Sequence, residues 1–379
     1  MTRRCAALAV AALAVAAGAA HAESQRTIAG SLQLDYLIVP TDSHARATTL
    51  DGMTAELSLK FSIDFTPSAS ASVKLCFACH GFEAASAFVD LRAADELTVR
   101  VGRLTPEFGG FPQRGDPANH RSNDKPLPYD MGRMLHHIQW GEGILPAPWV
   151  DNGVELLGTR FVGGGRVDYA AYILSGPKGT TGTGDLDFIA SRSPSQYYVD
   201  NNSEPVVGAR LSGTADFDSA GHGITLGASL MTGHYDPDRR LGFLIAGADA
   251  VINLEGLVIR AEYLARRTDI SVASDPTIWR YREGTSGTSA DHFFKHGFYA
   301  EAEVPVGRVD AFARFDGLLR FGNSLAISGL SSSARLWRYT AGAAVRISDN
   351  IRIKASAEYY QSADLGDDVA LHIAVATPF

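Results

Sequence analysis

Residues 53–65 alternate without a break: Met53, Ala55, Leu57, Leu59, Phe61, Ile63 and Phe65 are apolar, while Thr54, Glu56, Ser58, Lys60, Ser62 and Asp64 are polar. A period of two is the signature of a β-strand with one greasy side and one wet side. The same parity returns at 27–39, with Leu32, Leu34, Tyr36 and Ile38 set against Gln33 and Asp35. It returns at 257–269, and again at 368–379, where Val369, Leu371, Ile373, Val375 and Phe379 oppose Ala370, His372, Ala374 and Ala376. About sixteen such segments follow one another. Their connections alternate: those near 67, 94, 164, 219, 255, 307 and 350 are short, and those near 45, 110–150, 180–200, 272–291 and 323–333 are long. A water-soluble sandwich would not carry its apolar residues on the exposed face of every strand, so the pattern predicts an antiparallel up-and-down β-barrel whose apolar skin meets lipid.

The final Phe379 fits this reading, because the segment looks like the closing strand of a bacterial outer-membrane β-barrel. The other end agrees. Arg3 and Arg4, an Ala/Leu/Val run over 6–20 and Ala20-His21-Ala22 predict a secretory signal peptide, 1–22, cut after Ala22 and taking Cys5 with it. Residues 23–379 then form one barrel domain. They contain no apolar run of eighteen residues, so a helical span is not available. Yet the chain is 45% hydrophobic and carries 38 glycines, a mixture that arises when only half of each strand faces lipid. With a net charge of −8 and no basic block, nucleic acid is not an expected partner. The expected location is the outer membrane, with its lipid as the surrounding partner.

Lipid cannot accept hydrogen bonds, so the wall must close and its charged alternates must point inward. The residues expected to line a pore are Lys60, Lys74, Arg92, Arg100, Arg210, Arg260, Glu262, Arg314, Arg338, Arg346, Arg352 and Lys354. A wall of sixteen strands is too wide for side chains alone to fill, which implies a wet lumen. Tyr36, Phe61, Phe65, Phe315, Trp337, Tyr339 and Tyr359 lie near strand ends, as interfacial girdles require.

The segment Val99-Arg100-Val101-Gly102-Arg103-Leu104-Thr105-Pro106-Glu107-Phe108-Gly109, after Ala87-Phe88-Val89-Asp90-Leu91-Arg92, resembles the R-x-G-[RQ]-x-x-x-P-F-G-like segment of the phosphate-selective porin O/P-type family. That resemblance implies a sixteen-stranded channel, commonly a homotrimer, whose long third loop folds inward and narrows the pore. Residues 107–152, rich in proline, would be that loop. The implied function is passive diffusion of small hydrophilic solutes or ions, with no enzymatic activity. Phosphate selectivity is not carried over. The family's selective members line the lumen with a basic ladder, whereas the inward charges here are of both signs, with a modest basic patch from Arg338, Arg346, Arg352 and Lys354.

One stretch belongs to different chemistry. Cys76-Phe77-Ala78-Cys79-His80 is a C-x-x-C-H pattern, the spacing for covalent attachment of haem c, with His80 as axial ligand to the iron. It uses both cysteines that remain after residue 22. The insert between the third and fourth strands is about five residues, so a haem would have to sit in the lumen or under the long loop, and by parity Cys76 faces inward. A sixth ligand would come from His120, Met131, Met134, His136 or His137. The alternative is a small disulfide, or free thiols, capping a hairpin. With haem, the barrel would take part in electron transfer across the outer membrane, with periplasmic or surface cytochromes as partners. The remaining histidines, His44, His222, His234, His292, His296 and His372, read as loop or lumen positions, and no catalytic triad or nucleophile elbow is evident.

Overall fold

The computed structural model describes residues 25–39, 52–78, 81–130, 140, 143–145, 149–179, 200–218, 221–271, 279–280, 291–322, 324–325, 329–331 and 333–379. In chain order the strands are β1 (Gln25–Ile38), β2 (Gly52–Thr66), β3 (Ala69–Ala78), β4 (Gly81–Ala94), β5 (Leu97–Leu104), β6 (Asp151–Val162), β7 (Gly165–Leu174), β8 (Val206–Asp216) and β9 (Gly223–His234). They continue with β10 (Gly242–Leu254), β11 (Leu257–Asp269), β12 (Trp279–Arg280), β13 (His292–Val306), β14 (Val309–Gly322), β15 (Ser324–Leu325), β16 (Arg335–Arg346), β17 (Arg352–Ser362) and β18 (Asp368–Pro378). The two-residue strands β12 and β15 pair only with each other. The other sixteen form one closed, antiparallel barrel in which each strand pairs with its neighbours in sequence.

Closure is made by β1 against β18, in a register that sets Asp35 opposite Ala374 and Leu37 opposite His372. Gly30 and Phe379 exchange backbone hydrogen bonds of 2.7 and 3.0 Å, so the last residue completes the seam. With β1 paired to β18, the sixteen-stranded wall has no open edge, and its strands hydrogen-bond to a neighbour on both sides. The turns β2–β3, β4–β5, β6–β7, β8–β9, β10–β11, β13–β14 and β16–β17 lie at the end of the barrel where Gln25 and Phe379 lie. The tightest of them use glycines at positive φ, such as Gly256 (76°) and Gly307 (63°), a conformation that a Cβ would penalise.

The two faces separate as the parity requires. On β1, Ser31, Gln33, Asp35 and Leu37 are buried, while Leu34, Tyr36 and Ile38 are exposed. On β18, Ala370, His372, Ala374 and Ala376 are buried and Leu371, Ile373 and Val375 exposed. Burial is therefore inverted relative to a soluble domain: the outward face is apolar and bare, and the polar face is covered. A row of outward aromatics crosses β13–β17, with Phe298–Phe315 centroids 5.3 Å apart, Phe315–Tyr339 4.9 Å and Tyr339–Tyr359 6.2 Å. His296 corrects the expectation of a loop or lumen position. It stands on the outward face of β13, its Nδ1 3.0 Å from the Tyr263 hydroxyl and its ring stacked on Phe321 at 5.4 Å.

What covers the polar face is the connection between β5 and β6. Its residues 105–130 run inside the barrel through three short 3-10 turns. Their apolar members Phe108, Phe111, Leu127 and Tyr129 are about 1% exposed or less. The inward-folding long loop is thus part of the fold.

Candidate functional site

The loop crosses the lumen and is tied to the wall at successive strands. At β6, Glu155 Oε1 accepts from the backbone N–H of Glu107 at 2.7 Å. At β9, Ser229 Oγ accepts from Gly109 N–H at 2.9 Å. At β11, Glu262 accepts from Gly110 N–H at 2.9 Å and from the hydroxyls of Tyr129 and Tyr299. Gly109 sits at φ 65°, where a Cβ would lie 2.0 Å from the Tyr129 hydroxyl and 2.1 Å from Glu262 Oε1. Further along, Arg314 donates to Ser122 Oγ (2.8 Å) and to the Asp124 carbonyl (3.0 Å). Leu127 N–H donates to Asp316 Oδ1 at 3.0 Å. Arg338 is wholly buried between Asp124 of the loop and Asp316 and Glu358 of the wall. At the seam, Lys354 donates to Gln33 Oε1 (3.0 Å) and to the carbonyls of Pro117 and Ser122. Asn123 donates to Asp35 Oδ1 at 3.0 Å, and Asp35 Oδ2 lies 2.8 Å from His372 Nδ1. Buried charges are tolerable where each has a partner and satisfied hydrogen bonds, and here the loop supplies many of them.

The loop leaves one side of the lumen open. A cavity of about 520 Å³ lies between it and β1–β5, lined among others by Glu56, Lys60, Lys74, Cys76, Arg100 and His120. A second cavity, about 410 Å³, lies on the same side toward the short-turn end and is lined by Asp64, Asp90 and Arg92. Arg100 of the first and Asp90 of the second join in a bidentate ion pair at 2.8 and 3.1 Å, so one ion pair has a member on the wall of each. Lys74 pairs with Asp116 of the loop. Glu56 and Lys60 have no ion-pair partner among the described residues and face the cavity from one strand. Burial pushes the Glu107 carboxyl, also on this wall, above its ordinary range, against the pull of Arg100.

The twelve residues expected to line a pore therefore fall into groups. Lys60, Lys74 and Arg100 line the larger cavity and Arg92 the smaller. Arg314, Arg338, Lys354 and Glu262 are buried beneath the loop and hold it. Arg210 is paired with Asp249 at 2.6 and 2.9 Å, and Arg260 with Glu303 at 2.9 Å. Arg352 donates to the Ala118 carbonyl at 2.9 Å, and Arg346 lies 3.6 Å from Asp310 near the short-turn end. The basic patch read from Arg338, Arg346, Arg352 and Lys354 does not form as a unit, because Arg338 is neutralised by three carboxylates.

Of the C-x-x-C-H residues, Cys76 is described; it is 8% exposed, faces the lumen and lines the larger cavity. Cys79 and His80 lie outside the described residues, as do Met131, Met134, His136, His137 and His44. The connection between β3 and β4 differs from the expected five-residue insert. The pairing runs out to Ala78 opposite Gly81, leaving residues 79 and 80 alone between the strands. His120 is 2% exposed, and its Nδ1 lies 2.9 Å from the Ser122 carbonyl. A carbonyl only accepts, so Nδ1 carries the hydrogen and Nε2 the lone pair. Nε2 is buried with no hydrogen-bond partner among the described residues. Burial, with Lys354, Arg114, Arg314 and Lys125 nearby, holds the ring's pKa well below 6.5.

The residues that reading by sequence missed are Asn123, Asp124 and Asp316, together with Gly109. Asp316 was within reach, since parity places it inward, as it does Asp35. Asn123, Asp124 and Gly109 lie in a segment without period, where nothing marks which polar group will meet the wall.

No protein-family model matches this chain, and no curated protein matches it. Solved structures do. An anion-selective porin from Comamonas acidovorans aligns over 94% of this chain and 100% of its own, with 13% identity and a TM-score of 0.58. The outer membrane channel DcaP of Acinetobacter baumannii aligns over 95% and 99%, with 10% identity and a TM-score of 0.58. OmpF of Salmonella typhi, in complex with daunomycin, aligns over 93% and 97%, with 11% identity and a TM-score of 0.58. At these identities the likeness is one of fold: the chain has the closed barrel of the outer-membrane porins.

Proposed function

We propose that the protein is an outer-membrane porin, a passive channel for small hydrophilic solutes or ions whose route runs off-axis along β1–β5. The observation that carries this reading is the asymmetry of the loop, which is hydrogen-bonded to the wall at successive strands from β6 round to β1, meets β3 through the Lys74–Asp116 ion pair, and has the larger cavity on its β1–β5 side. An apolar skin supports the outer membrane as the location. The charges along the route are of both signs, Glu56 beside Lys60 and Arg100 against Asp90, which supports weak ion selectivity rather than a filter for anions such as phosphate. The test is conductance of the detergent-purified barrel in a planar bilayer, followed by reversal potentials in a salt gradient. Discrete steps with a reversal potential near zero are expected; a barrel that inserts but never conducts would overturn the proposal. Assembly as a homotrimer belongs to the same reading and is measured by sedimentation in detergent.

A second reading is favoured by the inward placement of Cys76 beside the larger cavity, whose volume lies within the range of about 300–1,000 Å³ typical of ligand pockets. In it, the C-x-x-C-H stretch carries one covalent haem c, and the barrel takes part in electron transfer with periplasmic or surface cytochromes. Attachment needs no oxidant. Each thiol sulfur forms a thioether bond to one carbon of a vinyl group, and the thiol hydrogen passes to the other. The test is a haem-stained denaturing gel of protein made with a cytochrome c maturation system, with Cys76→Ser and Cys79→Ser as controls. Stain at the barrel's mass, lost in both variants, is expected; no stain in the unaltered protein removes this reading and leaves the channel untouched.

A further inference from the structure

We propose that the solutes this route favours are zwitterions of short-peptide length, held at both ends by a ladder of unpaired charges on β2; this rests on the channel reading above. The inward face of β2 runs Glu56, Ser58, Lys60, Ser62, Asp64, with a serine between each change of sign. Glu56 and Lys60 line the larger cavity and Asp64 the smaller. None of the three has an ion-pair partner among the described residues. Their neighbours, by contrast, are committed. Ser58 is tied to Ser31 at 3.1 Å and Ser62 to Ser72 at 2.9 Å, hydroxyl to hydroxyl. Gln33, opposite Glu56 on β1, accepts from Lys354 at 3.0 Å and donates to the Asn123 carbonyl at 3.2 Å. Lys74, opposite Lys60 on β3, is paired with Asp116 of the loop. Like charges on directly opposed positions repel, and Asp116 answers Lys74, so Lys60 is the surplus cation of this wall.

The spacing selects the solute. Four residues of strand separate Glu56 from Lys60, and Lys60 from Asp64, about 13 Å between Cα atoms in each case. The side chains project into the bore and shorten that gap for anything passing between them. An extended dipeptide or tripeptide spans about 7–10 Å from end to end. Its ammonium can rest on Glu56 while its carboxylate rests on Lys60, and the ammonium can then pass to Asp64. A simple anion at Lys60 has a carboxylate on either side of it along the strand. A simple cation moving from Glu56 to Asp64 must pass an ammonium. Each is repelled at the next position, whereas a dipolar solute is matched at every one. Exposed contacts of this kind are individually weak. Weakness suits a channel, where binding must be favourable enough for entry and loose enough for release.

The test measures tracer uptake into phospholipid vesicles carrying the full-length barrel. Four forms of one solute are compared: triglycine, its N-acetyl form (an anion), its amide (a cation), and the N-acetyl amide, which is neutral. Each initial rate is divided by that of the neutral form, which itself reports a folded, open barrel. At about 10 mM salt, where charges act over about 30 Å, triglycine should exceed both singly charged forms by roughly three- to fivefold, the worth of one weak contact at each end. The excess should vanish at 1 M salt, where screening shortens that reach to about 3 Å. Glu56→Gln should remove the excess and favour the anion, and Lys60→Gln should remove it and favour the cation. The double exchange Glu56→Lys with Lys60→Glu keeps both signs in reversed order and should restore the excess. Triglycine entering no faster than the singly charged forms, or an excess untouched by both single substitutions, overturns the ladder while leaving the channel reading in place. A neutral form that enters no faster than into empty vesicles overturns both.

Discussion

At the scale of single residues, the molecule turns on groups that join loop to wall. Arg338 is the clearest. It is 0% exposed and touches Asp124, Asp316 and Glu358. Removing it leaves buried Asp124 without its cation and costs Asp316 and Glu358 one partner each, with Arg314 and His372 remaining beside them, a loss on the order of 3–5 kcal/mol for breaking such a cluster. Arg338→Ala should therefore lower the detergent-solubilised barrel's thermal midpoint and release the loop to protease while the wall persists. Gly109 is critical for a different reason. At φ 65° any side chain is strained by about 1–2 kcal/mol, and the Cβ would also push apart Tyr129 and Glu262, which are joined by a buried hydrogen bond. Gly109→Ala should unseat the loop and raise single-channel conductance in planar bilayers; unchanged conductance would mean that the loop does not limit flow.

At the scale of elements, the strands and the inward course of the long loop were expected, and the loop's contacts were not. Parity alone placed Gln33 and Asp35 inward and Tyr36 and Ile38 outward on β1, because a pleated strand surrounded by lipid on one side and protein on the other leaves no third option. His296 escaped that reading because a polar residue on the skin is exceptional; its ring is accommodated by Tyr263 and Phe321 on neighbouring strands. The loop has no such rule. Its contacts with β6, β9, β11, β14, β16 and β17 join residues more than forty positions apart, and nothing in the spacing of Asn123 or Asp124 announces Asp35 or Arg338. The basic patch misled for the same reason, since charge is read residue by residue in a sequence but cancelled pair by pair in the fold. Within the wall, the β4–β5 pair Arg100–Asp90 has one member lining each cavity. Arg100→Ala should enlarge the conductance and shift selectivity toward cations, read as reversal potential, while Lys60→Ala should change selectivity with little change in conductance.

At the scale of the whole molecule, stability depends on a skin that is greasy everywhere and a closed ring of hydrogen bonds. Ile373 is 53% exposed on the outward face near the middle of β18. Replacing it by arginine should cost about 2–4 kcal/mol if it lies near the bilayer midplane, measured by reversible unfolding from phospholipid vesicles. The same change at inward Ala374, 2% exposed, would instead crowd the seam. An unaffected barrel on Ile373→Arg would contradict the placement of this face against acyl chains.

The hydrogen-bonded meeting of Gly30 with Phe379 has one more consequence. Because the first and last strands are ordinary neighbours that leave the same rim, the cylinder has no privileged starting point. A short peptide bridging Phe379 to Gln25, with a new opening cut at Glu255-Gly256 on that rim, preserves every pairing in the wall. Such a circular permutant should refold in detergent to the same hoop, with the order of synthesis changed and the architecture intact.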